Sequence, residues 1–144
     1  MNPILNTDSY KLSHYLQYPP ELKFISSYIE SRGGRWNRAI FYGLQAFLKA
    51  YLSQKITADD IKEAKEFAAP HGLPFNEKGW EYILKEHGGA LPLRIEAVAE
   101  GSVVPTENVL VQMQNTDANV PWLVGWVETA LLRAIWYPVA VATN

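Results

Sequence analysis

Apolar residues recur along this chain at two periods, and the change from one to the other separates helical from extended segments. From Phe41 the positions Phe41, Leu44, Leu48, Tyr51 and Leu52 fall three and four apart, which predicts one buried face of a helix. A second helix is predicted over Ala58–Phe67. Thr57 stands at its capping position, Asp59 and Asp60 lie in the first turn where the positive helix end favours carboxylates, and Pro70 and Gly72 stop it. Asn76 caps a third helix whose Trp80, Ile83 and Leu84 share a face and which ends at Gly88-Gly89. The period then drops to two. Leu93, Ile95, Ala97 and Ala99 alternate with Arg94, Glu96, Val98 and Glu100, and after a turn at Pro105 the run Asn108–Gln114 follows, which predicts an antiparallel strand pair closed by Asn115-Thr116-Asp117.

At the two ends the pattern is less regular. A short helical turn is expected around Ser9–Tyr15, ended by Pro19-Pro20, and Lys23–Glu30 has strand composition up to Gly33-Gly34. Pro121 is expected in the first turn of a long helix running to Trp136, with Pro138 interrupting it before Val139–Ala142. That last apolar run reads as an element continuing past Asn144, so a remainder beyond this segment is expected. The fold class that follows is α+β, with several helices packed on a small, mostly antiparallel sheet.

Composition narrows the function classes. The chain has 144 residues, 48% hydrophobic and 19% charged, which fits one globular domain burying about 70% of its unfolded surface. A formal net charge of −2 leaves no overall field to attract nucleic acid or a membrane, and neither partner is expected. Zero cysteines remove disulfides and thiolate chemistry. The N-terminus lacks the basic start and apolar run of a signal peptide, so a cytoplasmic location is expected. The most apolar stretch, Val120–Trp136, carries Glu128 and Arg133 and is read as a buried helix rather than a membrane span, with Glu128 in need of a partner.

Candidate chemistry is concentrated in two places. His14, His71 and His87 are too scattered for a metal site, and no GxSxG, Walker or GxGxxG pattern occurs. Arg32, Arg35 and Arg38 surround Gly33-Gly34, either as a phosphate clamp or as a solvated loop. Asp8, Ser9, Tyr10, Lys11, His14 and Tyr15 crowd polar and aromatic groups into eight positions. Their plain reading is structural, with Asp8 capping the short helix and Tyr10 and Tyr15 packing on the core. Trp122, Trp126 and Trp136 are read as core or interface.

Several segments, taken together and in order, carry a resemblance. They are Thr7-Asp8-Ser9-Tyr10-Lys11 with His14-Tyr15, Gln17-Tyr18-Pro19-Pro20, Phe41-Tyr42-Gly43-Leu44-Gln45, Phe75–Trp80, Asn108-Val109-Leu110, Asn115-Thr116-Asp117, and Trp136-Tyr137-Pro138 with Ala142-Thr143-Asn144. The series resembles the N-terminal region of the nicotinamide phosphoribosyltransferases, type II phosphoribosyltransferases that combine this kind of domain with a later α/β barrel. Residues 1–144 are then expected to be the N-terminal domain of such an enzyme, with the barrel domain missing.

The resemblance implies a reaction in which 5-phosphoribosyl pyrophosphate and nicotinamide give nicotinamide mononucleotide and pyrophosphate, with magnesium, in a homodimer. It implies that Tyr10 reaches across the subunit interface to stack on the nicotinamide ring, that Asp8 belongs to the same shared site, and that Arg32 binds phosphate. It places the residues that carry out turnover in the barrel, so no catalytic residue is expected in this chain and the chain alone is expected to be inactive. Two other readings stay open: a stand-alone dimerisation or binding module, and a small phosphate- or RNA-binding protein using Arg32, Arg35 and Arg38.

Overall fold

The computed structural model describes residues 2–144. Two 3-10 turns, Pro3–Leu5 and Ser9–Leu16, open the chain. They are followed by β1 (Ser26–Glu30), β2 (Arg38–Ile40) and α1 (Leu44–Phe47), which widens into a π turn over Leu48–Leu52. Then come α2 (Ala58–Ala68), α3 (Glu77–His87), β3 (Leu93–Ala97), β4 (Val103–Pro105), β5 (Val109–Asn115) and α4 (Leu123–Thr143). β5 is the middle of an antiparallel sheet ordered β1-β5-β3, and β2 pairs antiparallel with β4 in a second, two-stranded sheet. The expected pair is present as β3 and β5, with Leu93 opposite Asn115 and Ala97 opposite Val111.

The sheet buries one face. Ile29, Val111 and Met113 are buried on it while Tyr28 is exposed, and α4 lies across this face. α2 and α3 pack on each other by the faces that carry Ile61 and Ala64 and Trp80 and Ile83. Trp80, Trp122 and Trp126 meet edge to face with ring centroids 4.9, 5.3 and 6.0 Å apart. Each such pair contributes about 0.5–1.5 kcal/mol beyond its buried area. Trp136, by contrast, is 70% exposed, so the core uses Trp122 just ahead of α4 and Trp126 within it, but not Trp136.

Both predicted caps form. Thr57 Oγ1 accepts from the Asp60 N–H, and Asp60 returns a bond to the Thr57 N–H, a closed capping box. Asn76 Oδ1 accepts from the Gly79 N–H. Three expectations change. Phe41 is outside α1, extended and fully buried, because Gly43 at φ 106° breaks the run and the helix starts at Leu44. Pro121 precedes α4 in a tight turn in which the Leu123 N–H reaches Val120 O. Pro138 does not interrupt α4. The missing N–H costs one rung of the ladder, but Ile135 and Val139 on either side are buried, and the proline ring lies against Gly43, where a Cβ would come within 2.8 Å of it.

Candidate functional site

Residues 6–11 run along one face of α4, and the contacts step up the helix a turn at a time. Lys11 Nζ donates to Gly125 O at 2.6 Å, Thr129 Oγ1 donates to Asp8 Oδ2 at 2.9 Å, and Arg133 Nη2 donates to Asn6 Oδ1 at 2.6 Å. Positions 125, 129 and 133 are four apart and therefore stacked on one face. Thr7 Oγ1 adds a bond to Trp126 O at 2.9 Å, and the Trp126 indole donates to Ile4 O at 3.0 Å. Gly125 also makes room for Tyr18, since a Cβ there would sit 3.0 Å from the Tyr18 hydroxyl.

Lys11 is only 8% exposed, so its ammonium depends on these partners. Glu128 lies 3.8 Å from it and supplies the opposite charge. The partner expected for Glu128 is thus Lys11. Burial, with the Glu128 charge second, raises the Tyr18 pKa above the usual 10.0.

Asp8 begins the second 3-10 turn but makes no side-chain capping bond to it. This corrects the structural reading of Asp8 as a helix cap: its carboxylate turns to α4 and to Tyr10, whose hydroxyl donates to Oδ2 at 3.1 Å. The bond to Asp8, helped by desolvation, raises the Tyr10 pKa and keeps the phenol protonated. Nor does Tyr10 pack on the core. Its ring is 55% exposed, with His14 tilted against it at 5.3 Å, whereas Tyr15 is half-buried and does pack on the core.

Arg32 lies elsewhere. It follows β1 in an exposed loop that turns at Gly33, φ 95°, and is pinned by the Glu107 N–H on Ser31 O and the Thr106 N–H on Asn37 O. Arg35 stacks on Trp36 at 4.9 Å, and the Trp36 indole donates to Asn144 Oδ1 at 3.2 Å. Among the described residues, Arg32, Arg35 and Arg38 make no ion pair. Asp8 is anchored at Thr129 and the arginine loop at Asn144, fifteen residues on, or about 22 Å along a helix that rises about 1.5 Å per residue. Asp8 and Tyr10 are brought together, and Arg32 is not brought to them within one chain.

The sequence reading missed Gly125, Thr129 and Arg133, the rail that holds residues 6–11. Their only signal is a line of non-apolar positions four apart on a mostly apolar helix. A second missed cluster surrounds Asp117, whose carboxylate meets the Asn119 N–H at 2.8 Å, His87 Nε2 at 2.7 Å and the Tyr82 hydroxyl at 3.0 Å. These hold its pKa down at about 2, the Asn119 N–H first and His87 second.

A groove of about 540 Å³ between α2 and α3 contains none of residues 6–11 and is lined in part by the Lys65–Glu77 ion pair at 2.8 Å. Among the described residues no three His, Asp or Glu side chains gather where they would hold a metal ion, so these residues do not fit a protein-held magnesium. Also among them, no helix is long and apolar enough to cross a membrane.

Comparison with known proteins identifies the family. Residues 2–95 match the family model described as nicotinamide phosphoribosyltransferase, N-terminal domain. The chain is 53% identical over 142 residues to a nicotinamide phosphoribosyltransferase of Xanthomonas campestris pv. campestris, covering 99% of this chain and 30% of that one. A nicotinamide phosphoribosyltransferase of Acinetobacter baylyi is 28% identical over 159 residues, covering 99% and 32%. In structure the chain is similar to human nicotinic acid phosphoribosyltransferase, with a TM-score of 0.66 at 21% identity over 96% of this chain and 27% of the other, a likeness of fold. The chain spans about 30% of the length of the curated relatives it matches. On the family model, which matches residues 2–95, this chain belongs to the nicotinamide phosphoribosyltransferase family.

Proposed function

We propose that residues 1–144 are the N-terminal domain of an enzyme that transfers phosphoribosyl from 5-phosphoribosyl pyrophosphate to nicotinamide, with the barrel domain lying beyond this segment. In that reaction the pyridine nitrogen bonds to the anomeric carbon while the pyrophosphate oxygen leaves with the bonding electrons. Such a displacement depends on holding the phosphates and orienting the flat ring. This chain's part is binding and orientation. Tyr10 offers a ring face for nicotinamide, Asp8 fixes the phenol, and Arg32 supplies an unpaired guanidinium for phosphate. Tyr10 and Arg32 are far apart on one chain and both exposed, which suits side chains that complete the site of a second subunit in a homodimer. Magnesium enters as the partner of the pyrophosphate group, and the enzyme works in the cytoplasm.

The observation that carries this reading is Tyr10, a large aromatic side chain left 55% exposed yet tethered through its hydroxyl. The test is formation of nicotinamide mononucleotide from the two substrates by the full-length protein, by its Tyr10→Ala variant and by the isolated 144-residue chain. Turnover by the full protein, a raised KM for nicotinamide in the variant and no product from the isolated chain are expected. Product from the isolated chain overturns the division of labour, and a full-length protein inactive on nicotinamide overturns the reaction.

A further inference from the structure

Threonine hydroxyls inside helices usually donate back to the carbonyl four residues earlier. Thr143 of α4 does so, to Val139 O at 2.6 Å. Thr129 does not. Its default acceptor, Gly125 O, already receives the Lys11 ammonium at 2.6 Å, and the Thr129 hydroxyl instead donates to Asp8 Oδ2 at 2.9 Å. The same carboxylate oxygen receives the Tyr10 phenol at 3.1 Å. A line of hydrogen bonds therefore runs from the half-buried side of α4, through Asp8, to a ring that faces solvent. Beyond this line the Tyr10 ring has a tilted contact with His14 as its aromatic neighbour.

We propose that Thr129 is a positioning residue for the nicotinamide site: through Asp8 it fixes where Tyr10 presents its ring. The proposal rests on the reading of Tyr10 given above. Thr129 touches no substrate. It acts by removing freedom from a side chain that would otherwise sample several rotamers before it stacks, a cost paid in binding. Lys11 serves the same end indirectly, since by occupying Gly125 O it leaves the Thr129 hydroxyl for Asp8.

The test uses the full-length protein with steady-state kinetics on nicotinamide. Thr129→Val is nearly isosteric and removes only the hydroxyl. It is expected to raise KM for nicotinamide about three- to tenfold, the range of one lost hydrogen bond, with kcat within about twofold. Thr129→Ser is expected to restore KM. Tyr10→Phe keeps the ring but cuts the line, so Thr129→Val on that background is expected to add nothing, a coupling that a merely structural threonine would not show. A wild-type KM in Thr129→Val, full additivity with Tyr10→Phe, or a serine variant no better than valine overturns the positioning role while leaving Tyr10 in place. A Tyr10→Ala variant with unchanged KM overturns the reading of Tyr10, and this inference with it.

Discussion

Asp117 shows how one side chain can tie distant segments and leave a mark in the pH dependence of stability. It draws donors from α3, through Tyr82 and His87, and from the loop ahead of α4, through Asn119. Its pKa falls from 3.8 to about 2 in the folded chain. A carboxylate lowered by folding stabilises the fold above its unfolded pKa, and that stabilisation disappears as pH drops through about 4 to about 2. With solvent reaching one side of the cluster, the contribution near neutrality is about 1–2 kcal/mol. Urea unfolding of wild type and Asp117→Asn across this pH range is expected to show curves that converge near pH 2. A constant gap would remove the charge from the explanation. The sequence places Asp117 in a turn, but the cluster depends on partners 30 and 35 positions away that no local pattern indicates. Tyr10 stands out in the sequence for another reason. The motif around it matches a family, whereas its own physical signal, a tyrosine among polar residues, equally fits packing on the core. Thr129 carried only its place in a line of non-apolar positions four apart on α4, since its partner is 121 positions distant.

At the scale of elements, the helices with clear periodicity and caps were legible because their information is local: Thr57 and Asp60 for α2, Asn76 and Gly88 for α3. β2 and β4, three residues each, were not, because such short strands exist only through each other, with Arg38 opposite Pro105 and Ile40 opposite Val103. The start of α1 and the continuity of α4 are one event seen from two sides, the seating of Gly43 on Pro138. Gly43→Ala combines a positive φ of 106° with a Cβ 2.8 Å from the proline ring, and is expected to cost about 2–4 kcal/mol. Gly101→Ala has φ 87° and open space, so only the backbone cost of about 1–2 kcal/mol is expected. Denaturant titration of the two variants separates the terms. Equal losses would mean that the close approach contributes nothing.

At the scale of the molecule, the far half of α4 turns Leu132, Trp136, Tyr137 and Val141 outward, at 42, 70, 65 and 58% exposed. An apolar stripe of this kind promotes association when it is left in water. Sedimentation of the isolated chain is expected to show concentration-dependent self-association that Trp136→Glu with Val141→Glu reduces, while the melting temperature stays within a few degrees because neither residue belongs to the core. A monodisperse monomer at all concentrations would contradict this. The fold class was legible from pattern alone, but which face of α4 is buried was not, because the helix is apolar nearly all round.

The rail along α4 has a consequence for how the chain is made. Asn6, Thr7, Asp8 and Lys11 are synthesised well ahead of their anchors at Arg133, Trp126, Thr129 and Gly125, which lie 127, 119, 121 and 114 positions later. At about 5–20 residues per second, the leading segment waits on the order of ten seconds before it has anything to dock on. The ring of Tyr10 is therefore set in place, through Asp8, by a helix made more than a hundred residues after it.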